Sequence, residues 1–169
     1  MDEIIVVDTG STDRTVEIAR EHGLKIHFFP WCDDFSAARN VSLSHATGDW
    51  LLWMDADDTI LPECGKRLRD LVMMAEDKVT GFLLQVHIPP APGENGFTHV
   101  DHVKLFRNLP GMRFEGRIHE QILAPLYRLG GTIARTDLYV LHSGYDYSPE
   151  GQVKKRTRDL TILALGASR

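Results

Sequence analysis

The sequence is poor in cysteine: Cys32 and Cys64 are the two it holds in 169 residues. Two thiols make no disulfide framework, and their spacing fits no zinc motif, so both are expected as reduced thiols in a cytoplasmic protein. No apolar run approaches the ~18 residues needed to span a bilayer. The acidic start Met1-Asp2-Glu3 runs straight into a strand-like Ile4-Ile5-Val6-Val7. Neither a secretory leader nor a transmembrane segment is therefore expected. Positive charge is in deficit, with 19 Lys+Arg against 24 Asp+Glu and a net of −5. This excludes the basic field that non-specific nucleic-acid binding requires. It leaves room for a nucleotide held through a metal. Internal repeats, low-complexity tracts and a visible domain boundary are also missing. At roughly 150 residues per domain, residues 1–169 read as one domain.

What is present is an ordinary globular balance, 43% hydrophobic and 25% charged, enough to build a core without staples. Glu3–Val7 reads as a buried parallel strand. It ends in the turn-forming Asp8-Thr9-Gly10-Ser11-Thr12-Asp13. Ser11, Thr12 or Asp13 could cap the next helix with Glu17 closing a capping box, and Gly23 would stop it. Leu24–Phe29 reads as a second strand. Asp34 would cap a helix over Phe35–His45, and Trp50–Met54 would form a third buried strand. Leu61 to Ala75 has helical spacing. Phe82–Ile88 and Val100–Phe106 read as a hairpin around the surface loop Pro89–Gly96. Gly111–Gly116 is irregular, His119–Leu129 helical, Leu138–Leu141 a short strand and Pro149–Leu165 a charged amphipathic helix. The whole is the pattern of an α/β sheet with an antiparallel addition.

The strongest chemical signal is Asp55-x-Asp57-Asp58 at the carboxyl end of the Trp50–Met54 run. In open α/β sheets ligands bind outside the carboxyl ends of strands. Residues i and i+2 of an extended segment face one way, so Asp55 and Asp57 can converge. Carboxylates that close repel unless a cation lies between them. Hard oxygen ligands favour Mg²⁺ or Mn²⁺. The plain alternative is an Asp-rich capped turn.

Asp8, with Gly10 and Ser11 after it, puts a second carboxylate at a strand end, where it marks either a nucleotide pocket or a helix N-cap. Arg113-x-x-x-Arg117-x-His119-Glu120 places arginines that suit a diphosphate beside a carboxylate that could be a general base. Gly111 and Gly116 give that stretch freedom to approach a ligand. A solvated charged turn is the other reading. His142 stands at a strand end, as a metal ligand or a structural imidazole. His99 and His102 fall on the hairpin with no role assigned.

Taken together, EIIVVDTGSTDRT, FSAARNVSLSHATGDWLLWMDADDTILP, FRN…RFEGRIHEQI and VLHSGY resemble the inverting family 2 glycosyltransferases of the GT-A fold. The resemblance spans about residues 3 to 158 and is far more specific than any one motif. It looks closest to bacterial members that modify polysaccharides or proteins and often carry appended helical repeats. It implies a nucleotide-diphospho-sugar transferase fold, with a mixed, mostly parallel sheet flanked by helices. It also implies roles. Asp8 and Thr9 would meet the nucleotide base. Asp55 would meet the ribose or the metal. Asp57, with Asp58 beside it, and His142 would bind Mn²⁺ or Mg²⁺. Gly116 would lie near the donor, with Arg113 or Arg117 adding charge at the diphosphate. Glu120 would be the catalytic base.

Two departures stand out. Thr9 occupies a position where the family commonly has a second Asp. The strand and helix that open the family precede residues like Glu3–Val7, so the first strand is expected to be missing and the domain truncated. Sheet edges left open in this way would invite a second copy.

The activity implied is metal-dependent transfer of a sugar from a nucleoside diphosphate sugar, with a UDP-sugar as the expected donor, and with inversion. The acceptor would be a saccharide, a lipid-linked group or a protein, read in part by the Pro89–Gly96 loop. The setting would be the cytoplasm or the inner face of the membrane. Two other readings stay open. One is a catalytically inert truncated domain that binds partners. The other is a metal-dependent nucleotidyltransferase, although the Gly/Arg-rich phosphate loop expected of that class is not visible.

Overall fold

The computed structural model describes residues 1–144 and 146–167. The chain forms two compact units. The first comprises Met1–Gly48, Asn108–Pro125 and the stretch from Arg156; the second comprises Asp49–Arg107 and Leu126–Lys155.

The first unit opens with β1 (Ile5–Asp8), α1 (Thr15–Glu21) and β2 (Lys25–Phe28). The two strands pair in parallel, from Ile5 opposite Lys25 to Asp8 opposite Phe28. β1 is only half-buried until Asp8, not buried throughout as its apolar run suggests. The expected capping box is not made. The residue before α1 is Arg14, with no side-chain cap. Glu17 is drawn to the Arg14 guanidinium at 2.8 Å, and Asp13 instead accepts from the Thr15 amide at 3.0 Å. The end of α1 follows expectation. Gly23 adopts φ +67°, its amide reaches the Arg20 carbonyl and the Leu24 amide reaches Ala19. That pair of bonds is the Schellman closure. α2 (Phe35–His45) starts as predicted, with Asp34 accepting from the Ala37 amide at 3.0 Å.

The segment from Asn108 departs from expectation. α4 covers only Leu123–Arg128, where a helix over His119–Leu129 was predicted. Glu115 and Gln121 exchange two backbone hydrogen bonds, at 3.0 and 2.9 Å. His119 takes φ +54°, which a continuing helix cannot contain. Glu120 therefore sits in a tight loop and not at a helix start.

The second unit is a five-stranded sheet in the order β3-β6-β5-β7-β4. Its strands are β3 (Trp50–Leu52), β4 (Asp58–Thr59), β5 (Val79–Ile88), β6 (Thr98–Arg107) and β7 (Thr132–His142). β5 and β6 form the predicted antiparallel hairpin, and β5 pairs with β7 in parallel. β3 lies antiparallel to β6 and is three half-buried residues long, shorter and wetter than the five-residue run implied. β7 is longer than Leu138–Leu141. Its first half carries Arg135, Thr136 and Asp137, polar residues that hide a strand from a hydropathy reading, and Thr136 Oγ1 donates to the Leu83 carbonyl at 2.8 Å.

α3 (Pro62–Met74) lays Cys64 and Leu68 onto Phe82, Leu84 and Val86 of β5, Leu105 of β6, and Leu138 and Val140 of β7. The i, i+2 spacing on β5 puts one face into this core. α5 (Pro149–Ala167) closes the described chain. Cys32 and Cys64 are both free thiols. No helix among the described residues is long and apolar enough to cross a membrane.

Candidate active site

In the second unit the chain leaves β3 and turns at Asp55–Asp58, closed by the Asp58 amide on the Asp55 carbonyl at 3.0 Å. It re-enters the sheet at once as β4. β4 pairs with the end of β7 so that Asp58 lies directly opposite His142. This two-residue ladder brings a histidine from far along the chain onto the acidic turn. Asp55, Asp57, Asp58 and His142 each offer a ligand atom, and these atoms all lie within 4.8 Å of one another. Convergence comes from the turn and the ladder, not from an extended Asp55–Asp57 segment.

Within the cluster the carboxylates differ. His142 Nδ1 is 3.0 Å from Asp58 Oδ1 and 3.3 Å from Asp57 Oδ1. The Asp57 carbonyl accepts from the Ser143 amide and hydroxyl, both at 3.0 Å. Gly144 packs against the Asp57 side chain so closely that a Cβ there would come within 2.6 Å of Asp57 Cγ and collide with its carboxylate. The Asp58 side chain is fully buried and ion-paired with Lys104, which is equally buried. Burial alone would push the Asp58 carboxyl up, but the Lys104 ammonium, the Asp55 amide and His142 hold it below its ordinary value. Oxygen donors with one imidazole, set around a glycine that leaves Asp57 its place, are a fitting set for a hard divalent cation.

The first unit holds the remaining predicted residues. Asp8 is buried at the end of β1. Its carboxylate accepts from the Gly10 amide at 3.2 Å and the Ser11 amide at 3.2–3.3 Å. The Ser11 hydrogen bond first, then the two amides, hold it below its usual range against the opposing effect of burial. Thr9 follows at the half-buried start of the same loop.

Gly116, Arg117 and Glu120 share one loop. Gly116 has φ +97°, a left-handed conformation that favours glycine. Arg117 is already engaged, with Nη1 donating to the Asp33 carbonyl at 3.2 Å. Arg113 is exposed and pairs with Glu115 at 3.1 Å. Glu120 is ion-paired with Arg39 at 2.6 Å, with 11% and 17% of the two side chains exposed. Asn40 clamps the same loop, giving its amide to the Phe114 carbonyl at 3.0 Å and accepting from the Phe114 amide at 2.7 Å. The Phe35 amide bonds the Arg117 carbonyl at 2.8 Å. α2 thus holds the Glu120 loop at three points.

Sequence reasoning missed Lys104, Arg39 and Asn40. For Lys104 a signal existed. It is a lone cation inside the apolar Val103–Phe106 run, and a charge there needs a partner. Arg39 and Asn40 lie on a helix among other polar residues, where nothing marks them.

The comparisons with known proteins agree with this architecture. The profile of glycosyl transferase family 2 matches residues 1–138. A TPR repeat-containing protein of Synechococcus elongatus is 40% identical over 122 residues, covering 72% of this chain and 29% of that protein. The glycosyltransferase SunS of Bacillus subtilis, derived from the SPbeta prophage, is 31% identical over 159 residues, covering 92% of this chain and 36% of its own. The crystal structure of glucosyl-3-phosphoglycerate synthase from Mycobacterium tuberculosis in complex with Mn²⁺, UDP and phosphoglyceric acid superposes with a TM-score of 0.61. It is 19% identical, covering 96% of this chain and 67% of that one. The chain belongs to glycosyl transferase family 2, and its fold is the GT-A fold. It spans about a third of the length of these curated relatives.

Proposed function

We propose that this protein transfers a sugar from a nucleoside diphosphate sugar, UDP-linked, to an acceptor hydroxyl with inversion at the anomeric carbon. The observation that carries the reading is the convergence of Asp55, Asp57, Asp58 and His142 at the end of β3. The UDP and Mn²⁺ in the structural neighbour named above support it.

Asp57 and His142 would hold the divalent cation, with Asp55 at the ribose or the metal. Bound there, such an ion supplies charge neutralisation for the departing diphosphate. Asp8 and Thr9 would meet the base. Gly116 would approach the donor, and Arg113 or Arg117 would add positive charge at the phosphates. Glu120 accepts the proton of the acceptor hydroxyl as its oxygen attacks the anomeric carbon. The new C–O bond forms on one face while the bond to the diphosphate breaks on the other, and the electron pair leaves with the diphosphate. One displacement with one base inverts the centre, as in single-displacement glycosidases. The setting would be the cytoplasm, whose reducing conditions suit two free thiols.

Glu120→Gln tests the assignment. The expected outcome is a loss of roughly 10²–10⁴-fold in turnover, with UDP and Mn²⁺ binding by calorimetry unchanged. Transfer at an undiminished rate would remove Glu120 from the role of base. No UDP binding at millimolar ligand in the presence of Mn²⁺ would replace the enzymatic reading with that of an inert binding module.

A further inference from the structure

Lys104 is the one fully buried cation among the described residues, and the mechanism above does not use it. The β5–β6 ladder explains how it comes to be where it is. Phe82 lies opposite Leu105 and Leu83 opposite Val103, so Lys104 is the extra residue of a β-bulge. Bulges re-aim a side chain, and they recur beside active sites. The consequence is four successive buried residues, Val103 to Phe106, where a regular strand would alternate.

The Lys104 ammonium is held in a built socket. On one side it meets Asp58 Oδ2. On the other it stands 3.8 Å from the centre of the Trp53 ring. That ring is fixed by its Nε1 donating to the Val103 carbonyl at 2.7 Å. Asp58 is equally committed. Its Oδ2 also accepts the Asp55 amide at 3.0 Å, and its Oδ1 faces His142 Nδ1. Three carboxylates on one turn would repel one another. A permanent cation beneath one of them cancels a third of that charge before any metal arrives.

We infer that Lys104 withdraws Asp58 from the metal-binding set as a neutral pair, leaving a divalent cation to Asp55, Asp57 and His142. Lys104 is a positioning residue: it touches neither donor nor metal and acts through Asp58. The inference rests on the metal-dependent reading proposed above and divides the cluster into scaffold and ligands.

The experiment is a Mn²⁺ titration followed by the EPR signal of the free ion, run on the whole chain. The central variant is Lys104→Met/Asp58→Asn, which removes both charges together and leaves no buried charge unpaired. Because the net charge of the cluster is unchanged, its Mn²⁺ affinity stays within about threefold of the parent. Asp57→Asn loses at least about 100-fold, beyond the usual cost of an outer partner. Lys104→Met alone binds Mn²⁺ about tenfold or more tightly, since a repelling charge is gone; a lysine that merely fills space would leave affinity equal or weaker. If that single variant does not fold, the double variant carries the test.

A double variant that loses Mn²⁺ as completely as Asp57→Asn overturns the inference while leaving the metal reading intact. A parent protein that binds no Mn²⁺ overturns the metal reading and the ligand assignment with it. Metal-free urea unfolding of the two single variants and the double examines the pair alone: strong coupling supports a closed pair, and additive effects sink it.

Discussion

Two carboxylates, one in each unit, are each paired with a cation, and the surroundings of the two pairs differ sharply. Asp58 and Lys104 are sealed in the second unit, 0% and 1% exposed, next to a sheet whose core is built from α3, β5, β6 and β7. Glu120 and Arg39 remain partly open in the first unit. Their loop is held by polar clamps from α2, between the buried Phe114 and Ile122. A sealed pair cannot exchange partners without unfolding its surroundings, so it serves as scaffold. A partly open pair can release one oxygen to a substrate hydroxyl, as a general base must. The contrast separates a charge built into the scaffold from one that a reacting group could still reach.

The contrast is broken most severely by attacking the packing beneath the sealed pair. Leu84 is wholly buried at the centre of the second unit's core. Leu84→Ala should cost about 2–5 kcal/mol, the lost transfer energy plus the cavity left behind. Urea unfolding followed by tryptophan fluorescence would read it, because Trp50 packs against that core. A loss below about 1 kcal/mol would mean that the sheet collapses freely around the gap, and the scaffold would be softer than its burial suggests.

The same division governs how much the sequence disclosed. Elements marked by local signals were legible: α2 by its Asp34 cap, the end of α1 by Gly23, the β5–β6 hairpin by two apolar runs around a Pro/Gly loop. The acidic turn was legible because its residues are consecutive. Of what meets it, the family resemblance implied His142, while Lys104 was missed. Lys104 reaches Asp58 through a bulge, and a one-residue insertion in a ladder leaves no periodic trace. The Glu120 loop was misread as helix because Leu123–Leu129 has helical composition. The left-handed His119 that keeps Glu120 out of the helix lies in a loop closed by the Glu115–Gln121 bridge and clamped by Asn40 and Arg39, partners 74 and 81 residues earlier that leave no local trace.

A smaller and more local break is expected in the first unit. Asn40→Ala removes both side-chain bonds to the backbone of Phe114. Phe114 is buried, so its amide and carbonyl lose partners that water cannot readily replace. The cost should be about 1–3 kcal/mol. Hydrogen exchange localises it: amides over residues 114–121 should exchange faster, while those of β5 and β6 keep their protection. Uniform acceleration through both units would show that the clamp supports the whole fold and not the loop alone.

The mildest test uses pH and a third paired carboxylate, again in the first unit. Glu3 Oε1 accepts the Thr47 amide at 2.6 Å and the Thr47 hydroxyl at 2.8 Å, and Oε2 meets Lys25 at 3.0 Å. The Thr47 amide first, then Lys25 and the Thr47 hydroxyl, pull its carboxyl from 4.5 down to about 2. A depressed carboxyl binds its proton more readily in the unfolded chain. Its contribution is therefore complete above the unfolded value of 4.5 and fades as pH falls toward about 2. Glu3→Gln should lower stability slightly at neutral pH, and the gap from the parent should close across that acid window. A gap that stays constant down to the acid end would mean that the ionised carboxylate contributes nothing. The tie between the start of the chain and Thr47 would then rest on hydrogen-bond geometry, which glutamine reproduces through its own carbonyl oxygen.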